Sequence, residues 1–159
     1  MTIFKASLIL INATIILIFS SCQISKSDQE IPGWNLIWQD EFDYDTDELS
    51  ENWNFEEGYG SNGWGNDEWQ YYSKENTSIE SGNLVITAKS EGKINKRDKS
   101  ITSSRLQTYQ KFDFQPGTKI IARIKLPWGQ GIWPAFWALG SNYSEVGWPS
   151  CGEIDILEM

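Results

Sequence analysis

Short runs of apolar residues recur along the chain, and several alternate with polar positions in steps of two. The clearest alternation covers residues 118–126, where apolar side chains at even positions from Ile120 flank Arg123 and Lys125. Residues 36–38, 84–88 and 132–139 are further β-rich runs bounded by Gly, Pro, Asn and Ser. Residues 92–100 form a charged loop, and no segment has a convincing helical period. The pattern predicts an all-β sandwich or barrel of short strands.

The last residues of the chain alternate in a way that places acidic groups together. Glu153 and Asp155 fall on one face of a predicted strand. Strict alternation would put Glu158 on the opposite, apolar face, where an unpaired carboxylate is costly. A β-bulge at about residues 156–157 would return Glu158 to the acidic face. We therefore predict three carboxylates in a row on one side of this strand.

Three interpretations of this row are open from the residues alone. An acidic strand face is most often solvated, and three carboxylates can also hold Ca²⁺. A third use is glycosidic bond cleavage with retention, which needs two carboxyl groups about 5–5.5 Å apart. Two glutamates on one strand face can lean together to about that separation, so the rest of the chain has to decide.

The composition favours a carbohydrate partner. The chain has nine Trp, six Tyr and seven Phe but no His, which excludes a Ser-His-Asp triad and an imidazole metal site. Its formal net charge of −9 argues against a nucleic-acid partner. The aromatic residues concentrate in stretches flanked by Gly and polar groups, namely 63–72, 132–137 and 148–149. Rings interleaved with Asn66, Glu68 and Arg105 suit a cleft for sugars, which offer flat C–H faces and hydroxyl groups.

The N-terminal region has the pattern of an export signal. Residues 1–22 contain Lys5 and an apolar run from residue 8 to 19, too short to span a bilayer. The run ends in a sequence that resembles a bacterial lipoprotein box, with Cys22 as the lipidated residue; the alternative is an ordinary secretory signal with an incidental Cys. Residues 23–33 are a polar tether. We expect an exported lipoprotein of the bacterial envelope, anchored to the membrane through Cys22, or a secreted protein.

The second cysteine is expected to have a structural role. If Cys22 carries lipid, Cys151 is the only remaining thiol, which excludes a disulfide framework. No His is present to activate it as a nucleophile, so we interpret Cys151 as a small packing residue.

From residue 34 onward, the chain resembles glycoside hydrolase family 16, in the laminarinase-like branch of endo-β-1,3(4)-glucanases. The matching stretches are residues 38–42, 63–72, 82–88, 102–106, 122–127, 129–140 and 148–159. The final motif, with its extra residue between Asp155 and Glu158, has the bulged form typical of laminarinases. Asp67 stands where Asn is commoner in the family, and Trp69 where Leu is commoner.

The resemblance implies a concanavalin A-like jelly-roll β-sandwich whose concave sheet carries a cleft. It also implies retaining hydrolysis of β-1,3 or mixed β-1,3/1,4 glucan by a monomer that needs no cofactor. By motif position, Glu153 resembles the nucleophile, Glu158 the general acid/base and Asp155 a supporting carboxylate. The positions that resemble glucan-subsite residues are Asn66, Arg105, Trp133, Trp137 and Trp148. A structural Ca²⁺ on the convex side is also implied, with Glu41 as one ligand.

Three alternatives remain beside this interpretation. They are a glucan-binding protein of the same fold without hydrolysis, a hydrolase of galactans such as agar or carrageenan, and an envelope or Ca²⁺-binding structural protein. The chain stops one residue after Glu158, inside the predicted strand. We therefore expect residues 34–159 to be the N-terminal part of a catalytic domain, marginally folded and inactive alone, because a sandwich must cover both of its sheets.

Overall fold

Nine short strands make up most of the regular secondary structure in the computed structural model, which describes residues 31–159. In chain order they are β1 (Asn54–Glu56), β2 (Tyr71–Tyr72), β3 (Thr77–Ile79), β4 (Leu84–Ile86), β5 (Lys89–Ser90), β6 (Ile101–Ser103), β7 (Arg105–Gln107), β8 (Ala135–Leu139) and β9 (Glu153–Glu158). Two four-residue helices accompany them, α1 (Leu49–Asn52) and α2 (Tyr143–Val146), with 3₁₀ turns at Thr46–Glu48 and Lys74–Asn76. The predicted all-β character is confirmed for the described residues.

The strands pair into four small sheets. β1 is antiparallel to β7, β3 to β4, and β8 to β9. In the three-stranded sheet, β6 lies between β2, with which it is parallel, and β5, with which it is antiparallel. β7 follows β6 after a single residue, Ser104, so the pairing of β6 also fixes where Arg105 at the start of β7 lies.

The chain divides into two compact units, Met1–Gln39 and Asp40–Met159. In the first unit only residues 31–39 are described, and they contain a turn in which Trp34 N donates to Ile31 O at 2.9 Å. The strand predicted at residues 36–38 is wrong, because no strand is formed there and Leu36 and Ile37 are largely exposed. The predicted signal segment and Cys22 lie in residues 1–30, outside the described residues.

In the second unit, the strand predicted at residues 118–126 is wrong. Within the described residues this segment joins no ladder, and Ile121 and Ile124 are exposed. Alternation sets which way side chains point, but a strand also requires a neighbour to accept and donate its backbone hydrogen bonds. The run predicted at 132–139 begins as a strand only at Ala135, directly after Pro134, which has no N–H to donate.

Hydrogen-bonded polar residues, rather than a large apolar core, fill the interior around β3, β6 and β7. Leu49 is the one fully buried large side chain among the described residues. Asn76 Nδ2 donates to Thr87 O at 2.7 Å and to Thr102 Oγ1 at 3.0 Å. Thr77 Oγ1 donates to Ser104 Oγ at 2.6 Å. Because buried polar groups are costly when unpaired, these bonds fix β3 against the β6–β7 connection.

The described helices are too short and too polar to cross a bilayer, as residues 31–159 include no helix of the necessary length and apolarity.

Candidate active site

The β8–β9 hairpin contains the predicted bulge. Trp137 pairs with Asp155, whereas the preceding residue of β8, Phe136, pairs with Leu157. The register therefore passes over Ile156, which is the extra residue of β9. The bulge that the cost of a buried carboxylate predicts at residues 156–157 is confirmed.

The same register places the three carboxylates on one face. Side chains at alternate positions of a strand share a face, and so do residues directly opposite across a ladder. The pairs, each joining a β9 acid to an alternate residue of β8, are Glu153 with Leu139, Asp155 with Trp137, and Glu158 with Ala135. All three acids are exposed, so the face that they share is accessible to a ligand. We call Glu153, Asp155 and Glu158 the acidic row.

The connection between β8 and β9 closes tightly and holds the hairpin in register. Gly140 N donates to Gly152 O at 3.3 Å, and a Cβ on Gly140 would collide with the carbonyl oxygen of Cys151. Gly140 is required there because the backbones approach so closely. Cys151 is half-buried and is a free cysteine, as predicted.

Trp133 contacts the acidic row directly. Its indole Nε1 donates to Glu158 Oε1 at 3.0 Å, although the side chain remains 52% exposed. This bond restricts the orientation of the Glu158 carboxyl group. Trp133 was predicted to lie on the strand with Trp137, but it lies before Pro134 and outside β8.

Arg105 connects the β1–β7 sheet to the same face of the hairpin. It forms an ion pair with Glu56, the residue directly opposite it in β1. The Arg105 guanidinium carbon lies 4.9 Å from the ring centroids of both Trp64 and Trp137. Cation–π contacts of this kind are favourable, more so when partly desolvated. Because Trp137 lies opposite Asp155, Arg105 holds the Trp137 ring beside the acidic row.

Trp64 belongs to an irregular turn at Gly63–Asp67. Three non-glycine residues in and beside it, Asn62, Trp64 and Asp67, have φ of 52°, 55° and 58°. This left-handed conformation is uncommon, above all for a bulky residue, and strain of this kind clusters at ligand-binding sites. The turn presents Asn66, which is exposed, and we call residues 62–67 the Asn66 turn.

A hydrogen-bonded carboxylate follows the Asn66 turn. Glu68 Oε2 accepts from Gln70 Nε2 at 2.6 Å and from Tyr72 Oη at 2.5 Å. Burial, and next the hydrogen bond to Glu68, hold the pKa of Tyr72 well above its usual value, so its hydroxyl remains a donor. The Tyr72 and Trp64 rings lie 5.8 Å apart between centroids. Glu68, predicted as a cleft residue, is thus engaged in fixing the aromatic residues.

The remaining predicted residues are dispersed. Trp148 is 65% exposed in the segment before β9. Glu41, the predicted Ca²⁺ ligand, is exposed. In the described part of the chain, the three carboxylates that have oxygens within 4.8 Å of one another belong to Asp45, Asp47 and Glu48. Capping accounts for part of this proximity, since Glu48 Oε1 accepts from Asp45 N at 3.3 Å.

Two residues of this region escaped the sequence analysis, Glu56 and Trp64. Glu56 lies in a three-residue strand, which is too short for its sequence pattern to predict the face on which each side chain lies. A cross-strand charge pair with Arg105 would have been the signal, but it requires the β1–β7 register. Trp64 was noted only as one member of an aromatic stretch, and its position under the Arg105 guanidinium depends on the turn at Gly63–Asp67.

Comparison with known proteins gives consistent matches. The family described as "XgeA-like, catalytic GH16 domain" matches residues 59–159. The structure of an endo-β-1,3-glucanase from Pyrococcus furiosus superposes with a TM-score of 0.69 and 50% identity, covering 79% of this chain and 50% of that one. A beta-glucanase of Rhodothermus marinus is 37% identical over 153 residues, 92% of this chain and 51% of the relative. A beta-1,3-glucan-binding protein of Penaeus monodon is 47% identical over 58 residues, 36% of this chain and 16% of the relative. The chain spans about half or less of each relative's length.

Proposed function

This chain belongs to glycoside hydrolase family 16, and we propose that the protein is an endo-acting β-glucanase that cleaves β-1,3 or mixed β-1,3/1,4 glucan with retention. The observation that carries the proposal is the acidic row, three exposed carboxylates aligned on one strand face by a bulge and bordered by Trp133 and Trp137. Retaining hydrolysis needs two such carboxyl groups, and the aromatic border suits a polymer of sugar rings.

The proposed reaction assigns complementary roles to the two glutamates. Glu158 gives its proton to the glycosidic oxygen while Glu153 attacks the anomeric carbon, which breaks the bond to the leaving sugar and forms a glycosyl–enzyme ester. Glu158, now a carboxylate, removes a proton from water. The resulting attack on the anomeric carbon releases Glu153 and restores the starting configuration.

Neighbouring residues prepare the glutamates for these roles. The Trp133 indole, 3.0 Å from Glu158 Oε1, holds the carboxyl group that must exchange protons with both leaving group and water. Asp155 lies between the two glutamates on the same face and opposite Trp137. We propose that Asp155 supports the nucleophile and that Trp137, braced by Arg105, forms a wall of the sugar site.

The substrate-binding surface proposed here extends from the acidic row toward the Asn66 turn. Asn66 and Trp148 are exposed and offer an amide and an indole to the glucan. Arg105 contributes mainly through Trp64 and Trp137, since its guanidinium is already ion-paired to Glu56. Support for a β-1,3 linkage comes from the Pyrococcus relative, which is an endo-β-1,3-glucanase.

The test follows reducing ends released from laminarin, from mixed-linkage barley glucan and from agarose by the full-length protein. Glu153→Gln and Glu158→Gln should each abolish release, whereas Glu145→Gln, an exposed carboxylate of α2, should leave it unchanged. The preferred glucan identifies the linkage. Hydrolysis of agarose in preference to both glucans would replace the glucanase proposal with the galactanase alternative.

A second candidate function is glucan binding without hydrolysis, because one relative is a beta-1,3-glucan-binding protein. The presence of all three carboxylates disfavours it. Retained affinity for laminarin without any release of reducing ends would establish this alternative.

We also propose export with a lipid anchor at Cys22. Metabolic labelling with a radioactive fatty acid should mark the protein, and Cys22→Ser should remove the label and release the protein from membranes. Membrane attachment that survives Cys22→Ser would contradict the anchor.

A further inference from the structure

The charged loop of residues 92–100 places two positively charged side chains, Lys96 and Arg97, against the Asn66 turn. Arg97 Nη2 donates to Asp67 Oδ1 at 2.9 Å, and Lys96 Nζ donates to Asp67 Oδ2 at 2.5 Å. The hydrogen bond from Lys96 is the main reason that the pKa of the Asp67 carboxyl lies below its usual value. Asp67 directly follows Asn66, so both ion pairs act on the turn that presents Asn66 to the proposed substrate.

Arg97 makes further contacts with the Asn66 turn and with the two residues that follow it. Its backbone N donates to Trp69 O at 3.2 Å, and its Nε contacts Glu68 O at 3.5 Å. The guanidinium lies so close to Gly63 that a Cβ on that residue would be 2.5 Å from Nη2. The Arg97 side chain thus lies against Gly63, Asp67 and Glu68, and its backbone N–H binds Trp69.

The charged loop is itself fixed by local hydrogen bonds. Asn95 N donates to Ser100 Oγ at 2.9 Å, and Ser100 N donates to Asp98 Oδ1 at 2.9 Å. Lys99 Nζ lies 4.1 Å from the centroid of the Tyr71 ring, which adds a second attachment to the segment after the Asn66 turn. Arg97 has φ of 56°, a conformation that persists only when surrounding contacts over-determine it.

We infer that residues 92–100 are a clasp that holds the strained Asn66 turn in its glucan-binding conformation, with Arg97 as the positioning residue. Three left-handed non-glycine residues leave that turn dependent on outside contacts. Binding surfaces fixed in advance bind more tightly, because less conformational freedom is lost when the ligand arrives. This inference rests on the proposed function, so its test has one arm that needs no glucan.

The first arm measures tryptic cleavage within the charged loop of the full-length protein without ligand. Asp67→Asn leaves Lys96 and Arg97 in place as cleavage sites but removes the charge that they share. We expect cleavage after these residues to become about threefold faster, because losing the ion pairs makes local opening of the loop easier. The factor is small because an exposed ion pair contributes only modestly to local stability. Asp113→Asn, the same change at another exposed carboxylate, is the matched control and should leave the rate unchanged.

The second arm measures the Kd of a laminari-oligosaccharide by calorimetry and the kinetics of glucan hydrolysis. Arg97→Gln should weaken binding by about two- to fivefold and raise KM with little change in kcat, because Arg97 does not touch the reacting atoms. Lys93→Gln removes the same charge from the same loop, outside these contacts, and should have no effect. Arg97→Gln combined with Asp67→Asn should weaken binding by less than the product of the single effects.

The outcomes separate the two proposals. Unchanged loop cleavage in Asp67→Asn, or unchanged affinity and KM in Arg97→Gln, would overturn the clasp while leaving the glucanase assignment in place. Wild-type protein that neither binds nor cleaves glucan would overturn the proposed function; faster cleavage in Asp67→Asn would then keep the clasp only as a structural contact and end its positioning role.

Discussion

Two groups of carboxylates in this protein differ in what their side-chain oxygens contact. The first group, at residues 40–48, is engaged by its own fold: Asp40 Oδ2 accepts from Tyr44 Oη at 2.7 Å and from Trp53 Nε1 at 2.8 Å, and Asp40 Oδ1 accepts from Phe42 N at 3.1 Å. The second group is the acidic row, aligned by the register of β9. The one side-chain hydrogen bond described for the row comes from Trp133.

Several carboxylates within a short stretch of chain therefore do not by themselves indicate a functional site. What distinguishes the groups is the set of partners of each oxygen. Asp40 binds the side chains of Tyr44 and Trp53 and the backbone N–H of Phe42, whose ring stacks on Trp53. Glu48 caps the turn that begins after Asp45. The acidic row is exposed along a hydrogen-bonded strand, so its oxygens are available to a ligand.

The strongest test of this difference exchanges a carboxylate in each group. Glu153→Gln should lower kcat/KM for glucan by about 10³-fold or more, because the proposed covalent step depends on that group. Its thermal midpoint should stay within about 2 °C of wild type, since an exposed side chain off the core contributes little to stability. Asp40→Asn should show the reverse, with kcat/KM per folded molecule within about twofold of wild type. Catalytic loss in Asp40→Asn comparable to that in Glu153→Gln would remove the distinction.

The next largest effect concerns stability. Asp40→Asn keeps an oxygen but loses the charge that strengthens the bonds from Tyr44 and Trp53, so we expect a loss of about 1–3 kcal/mol in the free energy of unfolding. Urea denaturation measures this loss. Asp43→Asn, at an exposed neighbour, is the control and should change stability by less than about 0.5 kcal/mol. Equal midpoints for the two variants would show that the Asp40 network does not stabilise the fold.

A smaller effect is expected at Trp133. Trp133→Phe keeps an aromatic ring but removes the donor to Glu158, and we expect kcat/KM to fall about tenfold. Trp128→Phe makes the same chemical change at an indole that is 96% exposed and should leave kcat/KM within about twofold. Unchanged kcat/KM in Trp133→Phe would mean that the ring, rather than the hydrogen bond, supports the reaction. An equal fall in both variants would mean that the effect is not specific to the Trp133–Glu158 bond.

The smallest effect appears at alkaline pH. Burial, then the hydrogen bond to Asp40, raise the pKa of Tyr44 to about 12 from its usual value of 10.0. A pKa higher in the folded state contributes stability that is present below pH 10 and lost as pH rises toward 12. The thermal midpoint of wild type should therefore fall more steeply over this range than that of Tyr44→Phe. Parallel curves would show that Tyr44 ionises alike in the folded and unfolded chains.

Sequence reasoning predicted the acidic row well, because two independent constraints agreed there. Alternation placed Glu153 and Asp155 on one face, and the cost of burying Glu158 then required a bulge, which the register confirms. The same alternation at residues 118–126 gave a wrong strand. A pattern within one segment carries no information about whether a partner strand is present to hydrogen-bond with it.

The fold class and the surroundings of the acidic row were predictable to different degrees. Structural relatives confirm the jelly-roll β-sandwich class predicted from the motifs, although the described strands of this chain form separate sheets of two or three strands. The stacking of Arg105 on Trp64 and Trp137 could not be predicted, because it depends on side chains from three elements distant in sequence.

Because of the bulge, β9 contains one residue more than a regular strand would need, yet its acidic side chains still share one face. A one-residue insertion in a regular strand turns every later side chain to the opposite face. Here the insertion is taken up at Ile156, and Glu158 still lies across from a residue of the same β8 face as Leu139 and Trp137. Deleting Ile156 would leave Glu-Ile-Asp-Leu-Glu, whose simple alternation also keeps the three acids on one side. Two strand lengths are therefore compatible with one arrangement of acids, so residue spacing alone is a poor criterion for identifying such a site in other chains.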